Sequence, residues 1–353
     1  MRSESNPMGT DGFEFVEYAA LDSQTLAKLF ERLGFSPVAR HRSKEVTLYR
    51  QGGINFILNH EPDSFAQSFA RVHGPSVCAI AIRVQNAAEA YQRAISLGAK
   101  AYTGKVGPME LNIPALQGIG GSLIYLVDRY GKQTIYDVDF IPIKRRNVRD
   151  GQAGLTVIDH LTHNVQIGRM NVWAEFYEKL FNFREIRYFD IKGKKTGLTS
   201  RALISPCGKI RIPINEPSDK KSQIQEYLDV YHGEGIQHIA LATQDIFATV
   251  EWLRNHGIEF MKTPDTYYEM IEQRIPNHGL DINRLRKNQI LLDGESLDKD
   301  GTESLLLQIF TNTVIGPIFF EIIQRKGNQG FGEGNFQALF EAIERDQINR
   351  GAI

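Results

Sequence analysis

Leu29-Phe30-Glu31-Arg32-Leu33-Gly34-Phe35 and Tyr177-Glu178-Lys179-Leu180-Phe181-Asn182-Phe183 close the helices of two stretches of chain that run through the same order of elements. The first stretch, residues 13–59, opens on a strand-like run, Phe13-Glu14-Phe15-Val16-Glu17-Tyr18. Leu26, Leu29, Phe30 and Leu33 then recur at helical spacing, Gly34-Phe35 stops the helix, and strands are expected over residues 45–49 and 54–58. The second stretch, residues 158–215, repeats this with a strand over 158–165 and a helix carrying Val172, Trp173, Phe176, Tyr177 and Leu180. Strands near 185–191, 201–205 and 210–214 complete it. Another pair has its own pattern. Cys78-Ala79-Ile80-Ala81-Ile82 leads into a helix over 87–97, and His238-Ile239-Ala240-Leu241-Ala242 into one over 246–255, with closing strands at 123–128 and 318–324.

Internal repetition of this kind is read before any other signal. It gives an α+β fold of four βαβββ modules, two to a domain, each pair of short curved sheets forming an incomplete barrel. The domains are residues 1–150 and 151–353, joined by a charged linker over 144–154. A polar insertion over 263–303 interrupts the last module, and Phe336, Leu339, Phe340 and Ile343 predict a C-terminal helix over 336–348.

Composition narrows the function classes. A length of 353 residues fits two domains, and a net charge of −1 gives no basic field for nucleic acid or an anionic membrane. Lys144-Arg145-Arg146 reads as part of a solvated linker. No run of about 18 apolar residues predicts a membrane helix, and the polar first eleven residues lack the apolar core of a secretory signal. The two cysteines, Cys78 and Cys207, lie in apolar, strand-like contexts and read as inert thiols in a reducing cytoplasm.

The chain has nine histidines. A mononuclear Fe(II) oxygenase site needs two of them and one carboxylate on one side of the metal, with positions left open. In a paired-module barrel such ligands come from first and last strands. His160 or His163 lies on the first strand of module three, His238 on that of module four, and Glu321 on the last strand of module four. Alternation alone does not choose between the two histidines of the first strand. Glu321 stands between Phe320 and Ile322, where a buried carboxylate needs a partner. Any one of these residues alone reads more readily as a hydrogen-bonded core residue; the set on equivalent strands points to a metal. The N-terminal copies serve as a control. They place Val16 or Glu17 opposite His160, Cys78 or Ala79 opposite His238, and Tyr125 opposite Glu321, so one metal site per chain is expected. Asp137/Asp139 and Asp298/Asp300 read as surface turns. Gly332-Glu333-Gly334-Asn335 lacks the lysine and spacing of a phosphate loop.

At these residues the sequence resembles the 4-hydroxyphenylpyruvate dioxygenase family of the vicinal-oxygen-chelate (glyoxalase-like) superfamily. The resemblance is carried by Ile158-Asp159-His160, Pro213-Ile214-Asn215-Glu216-Pro217, Gly235-Ile236-Gln237-His238, Leu306-Leu307-Gln308-Ile309-Phe310, Phe320-Glu321-Ile322-Ile323-Gln324-Arg325 and Gly330-Phe331-Gly332-Glu333-Gly334-Asn335-Phe336. It selects His160 over His163 and implies His160, His238 and Glu321 as ligands of Fe(II). The implied reaction takes 4-hydroxyphenylpyruvate and O₂ to homogentisate and CO₂ in tyrosine catabolism, with no organic cofactor. The resemblance further implies catalytic roles for Ser200, Asn215, Gln237 and Gln308, and substrate contacts from Gln223, Phe310, Phe331 and Phe336. Gly330, Gly332 and Gly334 would leave the backbone before the last helix pliable, so that the helix gates the site. A homo-oligomer is implied as well. The competing readings are a hydroxymandelate synthase, against which Pro213 and Asn215 speak, a ring-cleaving extradiol dioxygenase, and a metal-free binding module.

Overall fold

Each module begins on a strand that ends up in the middle of its sheet. The computed structural model describes residues 5–107, 109–144, 153–192, 196–295 and 303–351. Most of the linker, Asp298, Asp300 and the side chains of Leu339 and Ile343 lie outside the described residues. The strands are β1 (Phe13–Ala19), β2 (Ser36–His41), β3 (Val46–Gln51), β4 (Ile54–Asn59), β5 (Ser76–Arg83), β6 (Ala101–Tyr102), β7 (Ala115–Gln117), β8 (Leu123–Val127), β9 (Phe140–Pro142), β10 (Leu155–Asn164), β11 (Arg184–Lys192), β12 (Gly197–Ile204), β13 (Arg211–Pro217), β14 (Gly235–Thr243), β15 (Leu291–Glu295), β16 (Ser304–Phe310) and β17 (Phe319–Lys326).

They form two sheets. One runs β6-β7-β8-β5-β1-β4-β3-β2-β9 and the other β11-β12-β13-β10-β14-β17-β16-β15. Within a module the first strand pairs in parallel with the last, as β1 does with β4 and β14 with β17. Between modules the two first strands pair antiparallel, β1 with β5 and β10 with β14. The four modules expected from sequence are therefore present, and the seam of each pair lies at the centre of its sheet. Strands buried on both faces need apolar residues at nearly every position, and all seven residues of β1 are buried.

Local chemistry explains the helix ends. The helix Ser23–Arg32 starts under Asp22, whose carboxylate accepts from Gln24 N–H, and Ile246–Asn255 starts under Asp245, which accepts from Ala248 N–H. At the other end, Gly34 (φ +89°) and Asn182 (φ +56°) turn the chain left-handed. This is why the two echoing heptapeptides carry Gly and Asn at the same place. Two further helices, Phe65–His73 and Gln223–Tyr231, link the modules of each pair and start under Ser64 and Ser222. The sequence reading had no helix at either place.

Several expectations are corrected. Gly235–Thr243 and Phe319–Lys326 are registered with Ala240 opposite Glu321, as Ala81 is opposite Tyr125 in the N-terminal sheet. Carrying the register across gives Phe15↔Ala81 for His160↔Ala240. Phe15, not Val16 or Glu17, therefore occupies the position of His160. The irregularities of β1 and β10 fall at matching places, so the match keeps one spacing from Phe13 and Ile158 to Ala19 and Asn164. The same register chooses Ala79 over Cys78 for His238. Residues 263–303 are not wholly an insertion, since β15 within them forms the sheet edge beside β16. Asp139 is buried and ion-paired with Arg42 at 3.6 Å, not a surface turn. Cys207 is half-buried in a turn. The last helix spans Glu333–Arg350, so Gly334 is part of it.

Candidate metal centre

His160, Ala240 and Glu321 stand side by side on three adjacent strands, with His238 two residues along from Ala240. Ala240 is small and fully buried, and the side chains on either side of it converge. His160 Nε2 lies 3.1 Å from Glu321 Oε2, His238 Nε2 lies 3.3 Å from the same oxygen, and the two Nε2 atoms are 3.4 Å apart. Ligand atoms at right angles about a metal, each at roughly 2.1 Å, would be roughly 3.0 Å apart. The triangle is a slightly open form of that arrangement.

The far nitrogens show why a cation fits. His160 Nδ1 is 2.8 Å from Asp159 Oδ1, and His238 Nδ1 is 3.0 Å from Gln237 Oε1. Both acceptors call for protons on Nδ1, which leaves both Nε2 lone pairs facing each other and a carboxylate. Three electron-rich atoms at this distance, all buried, need a positive charge between them. Burial would raise the Glu321 carboxyl, but His160 and His238 outweigh it and hold it at about 2. Burial pulls His160 down, yet Glu321 and Asp159 carry it above the ordinary histidine value. His238 is pushed down by its burial despite Glu321. Among the described residues these three form the one group of His, Cys, Asp and Glu side chains spaced to hold a metal ion. His163 takes no part: it is buried, with Nδ1 3.2 Å from Leu161 O.

A small cavity of about 30 Å³ adjoins the triad, lined by Thr162, Phe189, Ser200, Pro213, Gln308, Phe310, Phe331 and Phe336 besides the triad itself. Of the residues given catalytic roles, Ser200 and Gln308 meet there, and of those expected to contact substrate, Phe310, Phe331 and Phe336. Gln308 Nε2 donates to Glu321 Oε1 at 2.7 Å, and its Oε1 accepts from Asn335 Nδ2 at 2.7 Å. Gly332 (φ +71°) passes so close to Gln308 Oε1 that a Cβ there would collide with it. Asn215 and Gln237 lie behind the cavity wall, 3.4 Å from each other, and Asn215 Nδ2 donates to Asn164 Oδ1 at 3.1 Å. Gln223 is elsewhere. Its Nε2 donates to Phe340 O at 3.4 Å, and it lines a larger cleft of about 1420 Å³ that reaches the triad's neighbourhood through Gln237, Met261 and Phe319.

Several participants carried no signal strong enough to single out. Thr162 and Phe189 line the cavity, and Thr162 follows His160 on the same strand face. Phe319 stacks on the His238 ring at 4.9 Å. Asp159 and Arg325 were visible as neighbours of two ligands, but their pairing across strands was not. Ser200 Oγ, Thr162 Oγ1 and Asn215 Oδ1 are buried without a partner. Buried polar atoms are nearly always satisfied, and two of these belong to residues lining the cavity.

Comparison with known proteins agrees with the geometry. Residues 4–141 match the family model "Hydroxyphenylpyruvate dioxygenase, HPPD, N-terminal", and residues 157–271 match that of the Glyoxalase/Bleomycin resistance protein/Dioxygenase superfamily. The chain is 60% identical to 4-hydroxyphenylpyruvate dioxygenase of Pseudomonas aeruginosa, over 99% of this chain and 98% of that protein. It is 62% identical to Hemolysin VllY of Vibrio vulnificus over the same shares. A solved structure of a 4-hydroxymandelate synthase mutant from Streptomyces coelicolor superposes with a TM-score of 0.83 at 25% identity, covering 96% of this chain and all of that one (100%).

Proposed function

The chain belongs to the hydroxyphenylpyruvate dioxygenase family, and from that footing we propose that its triad binds Fe(II) and converts 4-hydroxyphenylpyruvate and O₂ to homogentisate and CO₂, a step of tyrosine catabolism. The observation that carries the metal assignment is the triangle of two bare imidazole nitrogens and a carboxylate oxygen, each 3.1–3.4 Å from the others. Fe(II) held there would supply open positions for a chelating 2-oxo acid and for O₂, and the electron transfer between them. Identity of 60% to a 4-hydroxyphenylpyruvate dioxygenase, against 25% to the mandelate-forming structure, favours homogentisate as product.

The chain's own residues position and enclose the substrate. Phe310, Phe331 and Phe336 offer apolar faces to a phenol ring. Ser200 and Thr162 present hydroxyls that lack partners, suited to hydrogen-bond the bound acid. Gln308 orients Glu321 by donating to Oε1, which leaves Oε2 for the metal. Asn215 and Gln237 set the tautomer of His238 from behind, and Asp159 does so for His160. Gln223 supports the C-terminal helix through Phe340 O.

The helix Glu333–Arg350 is the gate. A cavity of about 30 Å³ holds about one water, so an aromatic acid enters only when Phe336 withdraws. The closed position is held from residues 263–303. Tyr267 Oη donates to Asn335 Oδ1 at 2.6 Å, and Asp293 Oδ2 accepts from Gly334 N at 2.9 Å. This gives that segment a role as a latch. Water kept out of the closed site cannot divert the oxidation from the ring. In this reading residues 1–150 are a supporting domain and 151–353 the catalytic one. Family membership also supports a homo-oligomer in the cytoplasm; no helix among the described residues is long and apolar enough to cross a membrane.

Anaerobic reconstitution with Fe(II), followed by substrate and O₂, tests the reading. Homogentisate formed one-to-one with CO₂ is the expected result. Hydroxymandelate, or no turnover in a fully iron-loaded protein, would overturn it.

A further inference from the structure

The N-terminal sheet encloses a cavity of about 430 Å³, large enough for a small molecule. It lies where the metal cavity lies in the other sheet. Carrying the register across, Glu17 stands for Thr162, Val46 for Ser200, Ala115 for Phe310 and Tyr125 for Glu321. All eight residues line their respective cavities. Ala115 in place of a phenylalanine opens the space that Phe310 fills in the catalytic sheet.

The lining is that of a binding site rather than a packing defect. Phe15 and Tyr125 form one wall, with ring centroids 5.7 Å apart. At the inner end Glu17 is 7% exposed, and its Oε1 accepts from Asn59 Nδ2 at 2.7 Å. The other carboxylates of the lining are matched by cations. Glu110 is 2.6 Å from Lys44 Nζ, and Asp139 is 3.6 Å from Arg42. Among the described residues no cation is ion-paired with Glu17; Lys44, which also lines the cavity, is paired with Glu110 and acts on Glu17 only from farther off. A buried carboxylate in an aromatic-walled cavity, short of a counter-charge, is complementary to an organic ammonium group.

We propose that the N-terminal paired-module sheet is a second small-molecule site, separate from the metal centre, that takes a small aromatic ammonium compound with its cationic end on Glu17 and its ring against the wall formed by Phe15 and Tyr125. Burial pushes the Glu17 carboxyl up against the pull of Asn59, and a bound cation would reverse that cost.

The test is calorimetric titration of the full-length, metal-loaded protein with 2-phenylethylamine at neutral pH, and with 3-phenylpropionate as the anion of matching shape. The expected result is one 2-phenylethylamine bound per chain, retained in Glu321→Ala and weakened at least tenfold in Glu17→Gln. Ala88→Trp guards against misfolding. Ala88 is exposed on the helix Ala87–Ser96 and lines the cavity, so a large side chain there plugs the site from outside. It should abolish binding with homogentisate formation unchanged. Absence of saturable binding to the unaltered protein, unchanged binding in Glu17→Gln, loss of binding in Glu321→Ala, or preference for the anion would each overturn the proposal.

Discussion

Arg325 grips Asp159 through two hydrogen bonds of 2.8 Å, and Asp159 in turn lies 2.8 Å from the Nδ1 of His160. The same guanidinium donates to Gly330 O at 2.6 Å and Asn328 O at 3.2 Å, at the root of the C-terminal helix. Bidentate pairing of this kind fixes geometry as well as charge. One half-buried cation therefore holds both the partner of a metal ligand and the base of the gate. Arg325→Met would leave the buried Asp159 with Arg211, at 4.0 Å, as its remaining cation, and a loss of about 3 kcal/mol in unfolding free energy is expected by chemical denaturation. Asp159→Asn, which keeps the shape, should cost roughly 10–100-fold in metal affinity by competition with a chelator. Wild-type affinity in that variant would remove Asp159 from the metal's supporting shell.

Ser200 separates a binding role from a structural one. Its hydroxyl is fully buried and unpartnered, so Ser200→Ala removes no internal hydrogen bond. Stability should stay within about 0.5 kcal/mol, while KM for the 2-oxo acid rises by about tenfold, the worth of one hydrogen bond. A variant that loses stability but keeps its KM would mean that the hydroxyl serves the strand.

Removal of residue 336 onward should uncouple the reaction. CO₂ release would persist while homogentisate falls below it, because the ring loses its wall and water enters. Phe336→Ala should show the same imbalance to a smaller degree. Measuring both products in one vessel decides the matter, and unchanged coupling would refute the gate.

Glu17 gives a pH signature remote from the metal. Its folded-state pKa is raised above the ordinary value, mainly by burial. A raised carboxyl binds more protons folded than unfolded, so stability falls as pH climbs from the ordinary carboxylate value through the raised one. Glu17→Gln lacks that penalty. Its melting temperature relative to wild type should climb between about pH 4 and neutrality and level off below. A constant offset across that range would rule the penalty out.

Phe56 joins the two sheets. It stacks on Phe35 at 4.2 Å between centroids and reaches Phe320, next to the ligand Glu321, at 6.1 Å. Phe56→Ala is expected to cost about 3–5 kcal/mol and to lower metal content as well, since the strand bearing Glu321 loses its backing. Denaturation with metal analysis of the refolded protein checks both.

Repetition made the four modules legible, because the same helix stops and strand starts recur with the same residue chemistry. Gly34 and Asn182 are the sharpest case, a shared backbone turn written in two side chains. Two histidines and a glutamate on apolar strands have few other uses together, which made a metal cluster legible, but the choice of His160 over His163 came from the family resemblance. The register of the N-terminal copies was not legible. Phe13–Ala19 is buried throughout, so its pattern offers no anchor for alignment, and only the pairing across to Ser76–Arg83 puts Phe15 at the place of His160. That Gln223 lies outside the small cavity could not be read from sequence for a different reason: its Nε2 donates to Phe340 O of the last helix, and only the packed structure shows which side chains meet across that contact. Strand β15 hid in a polar segment because it lies at an edge, where alternation is weak.

The ligands lie on three neighbouring strands at fixed cross-strand positions, so the site doubles as a gauge of alignment. Sliding β17 by one residue past β14 would bring Phe320 or Ile322 opposite Ala240 and turn the carboxylate to the far face. A misaligned chain could keep most of its apolar burial and still be unable to hold an ion. Metal captured during folding would discriminate against such near-native neighbours, rewarding the one pairing in which all three donors converge.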